Sequence, residues 1–552
     1  MLYPPYRECT RSGECHGTVL DNEVRVFCRI YTKRRGVLPA YEVSLYCRKC
    51  HTRYHYSYSV KDPSMPSAVR EYYTDFLPYV QAQQKAFVEV DLCEYFEYYM
   101  CLSHTSTANL ARIYNVQLGR TPIMMSTDST LLPEIAQDTV MDAFFMNALL
   151  RRHMRQGTCL VLPHNAVHHE HRFDHAMDLC NINMAGTGQP QYLHACHDCM
   201  KFIKRADGSM YYIRGGTTDG VTLGHPCCSQ TNCQQRLLST KDRFCETHRH
   251  LATECHVIGC TSAAEALFIT CPLVEHRAKE TEMQKARQPA FDDLNRRLQK
   301  GEVPQTQRRR GGQGRQTIST LLSLISSEDF DDTDRSGSIW DENVKGTGRQ
   351  IRLRTTRRWT HNEQLFVLSC GVIVSRATFY SHEGPASCIW QDFLKKTFPH
   401  PWLLPTHIFF DKACLLLKHL RAQGDTFFDA VRLVVDVFHA RNHHKEGDEF
   451  CNGHNNPALF PELRICIGGK EKWTLNSSIA EQTNVWFGAF QAITREMSVP
   501  RYNFFLDEMI LVRNQWLVQD LERRKKQPFI QSEQYMREEW QAMYPGVVTK
   551  AN

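Results

Sequence analysis

The sequence lacks the two kinds of apolar segment that would change its class. Its first residues, MLYPPYRECTRSGEC, contain no apolar core of a signal peptide. No apolar run approaches the roughly 18 residues that span a bilayer. We therefore expect an intracellular protein without a membrane partner, in which thiols stay reduced. The 23 cysteines then need an explanation other than disulfide bonds.

A strong net charge is also missing. The chain has 66 Lys and Arg against 60 Asp and Glu, a formal charge of +6. This mild basicity permits a nucleic-acid partner but does not establish one. At 552 residues, with 42% hydrophobic and 11% aromatic residues, the composition is that of a folded chain of two to four domains.

The cysteines occur in closely spaced pairs, which favours zinc. Cys9 and Cys15 form one pair and Cys47 and Cys50 another, separated by the strand-like VRVFCRIYTKRRG. Two short chelating loops can supply the four ligands of tetrahedral zinc, so we predict a four-thiolate site here. Cys28 lies within the strand and is expected in the core.

Residues 194–276 are the densest region of metal ligands. The simplest partition gives one zinc Cys228, Cys233, Cys245 and His248, and another Cys255, Cys260, Cys271 and His276. A cross-braced pairing fits the spacing equally well. Cys196 and Cys199 form a further C-x2-C pair, which Cys227 or His225 would complete. We thus expect two to four structural zinc ions.

Two helices are predicted before this region. STANLARIYN (106–115) starts with a good N-cap residue and could be the DNA-reading helix of a helix-turn-helix, although short helical pairs are common. VMDAFFMNALLRRHMRQG (140–157) is amphipathic and should end at Gly157. Residues 277–350 are polar and poor in aromatic side chains, a composition that predicts a flexible linker. Its basic segment RRRGGQGR either contacts phosphate groups or is simply solvated.

From residue 360, strands alternate with helices, which predicts a mixed, partly parallel sheet. Asp219 and Asp411 each end a strand, and Glu481 lies in the first turn of a helix. Carboxylates are the ligands that hard divalent ions prefer, and two-metal phosphoryl transfer needs several of them together. Each acid also has a structural alternative: a hairpin turn at Asp219, a helix cap at Asp411, and a capping box of Ser478 with Glu481.

Several long motifs resemble the KDZ (Kyakuja-Dileera-Zisupton) transposases, in the fungal branch with attached cysteine clusters. The segment TTDGVTLGHPCC with the following Cys/His pairs resembles an internal cluster, and the first 100 residues resemble its N-terminal partner. The segments RRWTHNEQLFVLSCGVIVSRATFY, FFDKAC, VDVFHARNHHKEGDEFC and SIAEQTNVWFGAFQAITREM resemble the catalytic region.

The resemblance implies an RNase H-like α/β core, interrupted by the cysteine/histidine insertion, that cuts and joins DNA with Mg²⁺ or Mn²⁺. Its catalytic acids would be Asp219, Asp411 and Glu481, with Asp436 a rival for the second. The family's Cys after the second acid is matched by Cys414. Its Phe-His motif with a further His and Cys is matched by Phe438, His439, His444 and Cys451, whose polar groups would bind another metal or contact DNA.

The resemblance also implies a division of the chain and its partners. The expected parts are an N-terminal cysteine-cluster domain (1–100), a helical region (101–190), the start of the core with its zinc insertion (191–280), a polar linker (281–350) and the rest of the KDZ domain (351–552). The partner would be DNA in the nucleus, with a homo-oligomer an option.

Two other functions stay open. This chain has Asp219-Gly220-Val221 where the family has an Asp-Gly-Asn-Phe-like strand, so an inactive, domesticated DNA-binding or chromatin-associated protein is the main alternative. A third hypothesis is a zinc-scaffolded interaction module similar to a RING-type ligase.

Overall fold

The structure is a computed structural model. It describes residues 1–75, 77–118, 134–204, 207–230, 233–284, 353, 359–380, 388–442 and 448–543. The predicted linker therefore lies almost entirely outside the described residues, as does RRRGGQGR. Among the described residues, no helix is both long and apolar enough to span a membrane.

The first part of the chain is built on a large sheet, whose strands in the described residues have the order β6-β7-β1-β2-β3-β4-β5-β8. These strands are β1 (Asp21–Thr32), β2 (Gly36–Cys47), β3 (Thr52–Tyr54), β4 (Tyr58–Lys61), β5 (Val69–Tyr72), β6 (Tyr79–Gln83), β7 (Ala86–Glu89) and β8 (Val161–Pro163). The long β1–β2 hairpin turns at residues 33–35 and pairs Thr32 with Gly36, whose φ of +70° suits glycine. Cys28 is fully buried in β1, as expected.

The helices that follow are α1 (Val90–Ser103), α2 (Thr107–Gln117), α3 (Gln137–Gln156) and α4 (Asp174–Thr187), of which α1 and α3 pack directly against this sheet. The predicted start of α2 is correct, because Ser106 accepts a hydrogen bond from the backbone N–H of Asn109 at 3.3 Å. Tyr114 of α2 bonds the backbone of Thr32 at the hairpin end. The α3 helix ends at Gly157 with φ +64°, also as predicted.

A second, mixed sheet has the strand order β13-β12-β11-β14-β15. After the short β9 (His194–Ala195), its members are β10 (Met200–Lys204), β11 (Met210–Val221), β12 (Asn362–Leu368), β13 (Ile373–Phe379), β14 (His407–Phe409) and β15 (Arg432–Val434), with β10 pairing the first half of β11. The β12 strand is antiparallel to both neighbours, whereas β11, β14 and β15 are mutually parallel. The predicted mixed α/β fold is thus confirmed.

Helices cover both faces of the second sheet. The remaining elements are α5 (Cys388–Thr397), α6 (Ala413–Gln423), α7 (Val437–Asn442), α8 (Glu449–His454), β16 (Arg464–Ile467), β17 (Lys470–Trp473), α9 (Ile479–Gly488), α10 (Gln491–Thr494), α11 (Val499–Arg523), β18 (Phe529–Ile530) and α12 (Glu533–Met543). Side chains of β12 alternate between the two cores, Leu365 and Val367 in one and Phe366 and Leu368 in the other, because a strand has a period of two. This explains why every residue of β12 is buried.

The two sheets share one core through the long helix α11. Phe144 and Phe145 of α3 contact Phe505 and Phe504 of α11 at ring separations of 5.6 and 6.1 Å. Buried Glu508 of α11 also pairs with Arg152 of α3. The helices that follow the first sheet are therefore packed together with those that cover the second.

Asp219 and Gly220 lie inside β11, paired with Leu365 and Gln364 of β12. The alternative of a hairpin turn is therefore wrong. The strand continues through Gly220 to Val221. A Cβ at Gly220 would lie 2.2 Å from the side-chain nitrogen of Asn362, so close packing explains this glycine.

Candidate metal centres

Four groups of four cysteine and histidine side chains have their ligand atoms within 4.8 Å of one another. We call them the N-terminal cluster (Cys9, Cys15, Cys47, Cys50), the first insertion cluster (Cys228, Cys233, Cys245, His248), the second insertion cluster (Cys255, Cys260, Cys271, His276) and the core cluster (His194, Cys196, Cys199, Cys370). Tetrahedral zinc with Zn–S bonds of about 2.3 Å places its sulfur ligands about 3.8 Å apart. The clusters can be tested against that spacing.

In the N-terminal cluster the sulfur of Cys9 lies 3.6 Å from those of both Cys15 and Cys50. Cys9 and Cys15 precede β1, Cys47 is the last residue of β2 and Cys50 follows it, so the hairpin brings the two pairs together. Burial acts to raise the pKa of Cys50, but hydrogen bonding with Thr52 and the neighbouring thiols outweighs it and lowers that pKa to about 7. A thiolate at this position suits zinc, which binds the deprotonated form.

The insertion clusters are formed from consecutive pairs along the chain. In the first, Cys233 and Cys245 have sulfurs 3.7 Å apart, and the Cys245 sulfur lies 3.2 Å from Nδ1 of His248. In the second, the sulfurs of Cys260 and Cys271 are 3.9 Å apart. The structure therefore has the sequential partition and not the cross-braced one. Both clusters lie between β11 and β12.

The core cluster differs from our expectation. Cys196 and Cys199, whose sulfurs are 3.7 Å apart, join His194 and Cys370 rather than Cys227 or His225. The His225 ring is instead buried, with its Nδ1 2.9 Å from the carbonyl of Pro226. Cys370 occupies the turn between β12 and β13, so this cluster joins the segment before β11 to a hairpin far along the chain. The sequence signal for Cys370 as a metal ligand was its position in the short LSCG turn.

A buried arginine accompanies the core cluster. The side chain of Arg214, on β11, is fully buried and donates hydrogen bonds to the carbonyls of Tyr192 (2.8 Å) and Leu403 (3.4 Å). Burial lowers the pKa of Arg214, whereas the sulfurs of Cys199 and Cys370 act in the opposite direction. Zinc with three thiolates and one neutral imidazole carries a net charge of −1, which an adjacent guanidinium balances. A buried cation next to three thiols therefore fits a loaded zinc site.

A different group of ligands, all acidic, lies at the carboxyl ends of the parallel strands. Thr217 of β11 pairs with Phe409 of β14, which pairs with Val434 of β15. Two residues beyond these three positions are Asp219, Asp411 and Asp436. The strand register therefore brings three aspartates to one edge of the sheet. We call these three with Glu481 the carboxylate group.

His439 lies among three members of the carboxylate group. Its Nδ1 is 3.1 Å from Oδ1 of Asp411, 3.3 Å from Oδ2 of Asp436 and 3.6 Å from Oε1 of Glu481. Our sequence interpretation placed His439 outside the acidic triad. The Asp-x-x-His spacing on the first turn of α7 brings it here.

Asp219 is held beside the same helix that carries Glu481. Its Oδ2 accepts a hydrogen bond from the side chain of Asn484 at 2.8 Å, and its Oδ1 one from the backbone of Gly220 at 2.8 Å. Asn484 follows Glu481 by three residues on α9, so both lie on one helix face. Asp219 is thus hydrogen-bonded to a side chain that lies one helical turn after Glu481.

The two rivals for the second acid have different surroundings. Asp436 is buried and accepts hydrogen bonds from the Ser477 hydroxyl (2.5 Å) and from the backbone of Phe438 and His439 (2.9 and 3.2 Å), which caps α7. Burial acts to raise the pKa of Asp436, but these hydrogen bonds outweigh it and lower the pKa. Asp411 is 34% exposed, and the helix after it is capped at Lys412 without a side-chain bond. Asp411 is therefore the more accessible carboxylate, and the helix cap expected of Asp411 is not found there but at Asp436.

Glu481 is also accessible, with 45% of its side chain exposed. Burial and the charges of Asp436 and Asp411 raise its pKa, while His439 acts to lower it. The capping box predicted with Ser478 does not form, because the Ser478 hydroxyl bonds Asp436 at 3.2 Å. A carboxylate repelled by its neighbours gains most from a bound cation.

Cys451 does not lie with His439. It is buried and grouped with Cys414 and Asp448, three ligands within 4.8 Å of one another. His444 lies outside the described residues. Of the three side chains predicted to act together, the two that the structure describes, His439 and Cys451, therefore lie in different groups.

The fold and these sites define a protein with four cysteine/histidine clusters that fit zinc, built around a mixed sheet with an acidic edge. Residues 1–118 match the family model of a CxC5 like cysteine cluster associated with KDZ transposases, and residues 217–282 that of a CxC6 like cysteine cluster associated with KDZ transposases. The matched segments contain the N-terminal and both insertion clusters. No curated protein and no solved structure matches the chain. The resemblance to KDZ-associated clusters, at the N-terminal and internal positions, is thereby confirmed.

Proposed function

We propose that the protein is a KDZ-type DNA transposase, or a protein derived from one, that cuts and joins DNA strands by two-metal phosphoryl transfer. The observation that carries this proposal is the approach of Asp411, Asp436 and Glu481 to a single histidine nitrogen. Like charges are brought together at a cost, so such a group is typical of a site that binds cations.

An RNase H-like core is part of the proposal. Such a core places its first strand in the middle of the sheet, with the second and third strands on one side and the fourth and fifth on the other. The order β13-β12-β11-β14-β15, with β12 antiparallel to its neighbours, supports this assignment. The two insertion clusters would then lie in an insertion between the first two core strands, β11 and β12.

The roles of the acids follow from their exposure. Asp411 and Glu481 would hold divalent ions, and Asp219 would complete the ligand set from the neighbouring strand. Bound Mg²⁺ or Mn²⁺ would activate the attacking oxygen and stabilise the leaving one. Asp436, whose oxygens are already hydrogen-bonded, would position His439. The zinc clusters would fold the DNA-binding parts, and such a protein would act in the nucleus.

The test is nicking of a mixed pool of DNA duplexes by the zinc-replete protein with Mg²⁺ or Mn²⁺. We expect Asp411→Asn and Glu481→Gln each to abolish cleavage, since each removes a charged ligand oxygen. The matched control is Glu471→Gln, an exposed carboxylate paired with Arg464 on the β16–β17 hairpin. Cleavage that survives both site variants would contradict the assignment.

The alternative function is a DNA-binding protein without catalysis. It would be indicated by salt-sensitive DNA binding with no metal-dependent cleavage, because phosphate contacts release counterions. Absence of both cleavage and DNA binding would refute the proposal altogether.

A further inference from the structure

A cavity of about 820 Å³ lies directly beside the carboxylate group. Its lining includes Ser477 and Ser478, whose hydroxyls bond Asp436, and Phe438, the residue before His439. Pockets of about 300–1,000 Å³ are those that enclose small ligands. A molecule in this cavity would therefore lie next to the proposed scissile position.

The lining offers ring faces and hydrogen-bonding groups together. Phe438, the second residue of α7, is 52% exposed. Trp473 is partly buried. It packs against apolar side chains that include Phe409 and Leu475, and it also lines the cavity. Asn476, Ser477 and Thr474 also line the cavity and supply polar atoms. Aromatic faces with polar edges are what an unstacked base requires, since every base has both.

Positive charge is present at the same cavity. Lys201 and Arg524 line it, and the Lys201 ammonium bonds the carbonyl of His197. The lining residue Asp198 is paired with Lys526 at 2.8 Å, which offsets its charge. Phosphate groups flanking a base would find cations here.

The core cluster forms part of the wall. Cys370, one of its four ligands, and Asp198, between two others, both line the cavity. Zinc at this cluster would therefore hold this part of the wall in place.

We propose that this cavity binds a single unstacked nucleotide of the DNA strand that runs past the carboxylate group. This inference rests on the proposed function, because it names the form of DNA that the same site takes. Bases in an intact duplex are stacked and cannot present their faces to Phe438 and Trp473, so the nucleotide must be unpaired or turned out of the helix. A free nucleotide offers the same chemistry, and the test separates the two sources.

The experiment measures binding of the zinc-replete full chain to random-sequence duplexes, without divalent magnesium or manganese. One duplex pool is fully paired, and the other contains one unpaired 2-aminopurine nucleotide, whose fluorescence falls when it stacks. We expect the unpaired pool to bind about tenfold more tightly, with quenched fluorescence, which is the scale of one base–aromatic stack.

Trp473→Ala should abolish the roughly tenfold preference for the unpaired pool and most of the quenching. Its affinity for the paired pool should be unchanged. Trp473→Phe should keep most of both, because it retains a ring and the core packing. The matched control is Trp516→Ala, a 40% exposed tryptophan on α11 that does not line the cavity.

Equal binding of both pools, with salt-sensitive duplex binding intact, would overturn the inference and leave the proposed function standing. An equal loss of the preference for the unpaired pool in Trp516→Ala would also overturn the inference. If deoxynucleoside monophosphates bind with the same Trp473 dependence while unpaired DNA is not preferred, the cavity is a free-nucleotide site and the inference is wrong. Loss of all DNA binding would refute the proposed function and this inference with it.

Discussion

Replacing Arg214 by methionine tests whether the core cluster holds zinc. The guanidinium is fully buried next to Cys199 and Cys370 and bonds two backbone carbonyls. Methionine has a similar length but leaves the thiolates without a counter-charge. Removing one member of a buried charge pair costs about 3–5 kcal/mol, so we expect a loss of that size in the free energy of unfolding.

Two measurements together make this prediction specific. Chemical denaturation gives the loss of stability, and mass spectrometry of bound metal with a chromogenic chelator gives zinc content and release. We expect Arg214→Met to lose about one zinc per chain, or to release one far faster than the unaltered protein does. Arg214→Lys should fall in between, because it keeps the charge but not the planar fork.

Arg376 provides the matched control. It is similarly buried, but it pairs with the carboxylates of Glu363 at 2.7 Å and Asp507 at 3.0 Å instead of with thiolates. Arg376→Met should therefore destabilise the protein without altering its zinc content. If Arg214→Met keeps all its zinc, releases it normally and unfolds within about 1 kcal/mol of the unaltered protein, charge balance at the core cluster is refuted.

Further predictions concern metal, packing and pH. The protein should carry at least four zinc ions, and chelation should unfold the regions around the clusters, as followed by circular dichroism; full stability in excess chelator would contradict this. Gly220→Ala should cost about 1–3 kcal/mol because its Cβ would clash with Asn362, whereas Gly453→Ala, in open space on a helix, should be neutral or stabilising in the same denaturation assay. Burial and the charges of Asp436 and Asp411 raise the pKa of Glu481, so protons should compete with Mn²⁺ at pH values above the usual glutamate range, and Mn²⁺ affinity should fall as the pH drops toward that range. Glu481→Gln should remove this pH dependence in a calorimetric titration, and an unchanged profile would show that another group titrates.

Sequence spacing predicted the features that depend on neighbouring residues. The ligand pairs of the N-terminal and insertion clusters lie within a few residues of each other, so their grouping followed from local chelation. The same holds for the start of α2 at Ser106 and its capping bond. Asp411 was visible because the apolar run HIFF precedes it, and Asp219 because it lies near the end of the strand-like segment YYIRGGTTDG.

Features that depend on distant contacts escaped prediction. Cys370 lies in an apolar hairpin about 170 residues after Cys199, and only the pairing of β11 with β12 brings it near. The position of His439 among the acids depends on the register of three parallel strands, which sequence does not reveal. The reason for Gly220 likewise required knowing that Asn362 faces it across the sheet.

The long connection between β11 and β12 also affects how the chain is made. The central strand β11 is synthesised long before its antiparallel neighbour β12: 140 residues, from 222 to 361, separate its end from the start of that strand. At about 5–20 residues per second, a ribosome needs about 7–28 s to cover that distance. Throughout that interval the nascent β11 lacks a hydrogen-bonding partner on that edge, while the insertion can already take up zinc and fold. In a cell short of zinc, the nascent chain would then expose β11 beside an unfolded insertion. Zinc shortage would therefore act mainly by promoting aggregation during translation, and less by damaging the finished protein.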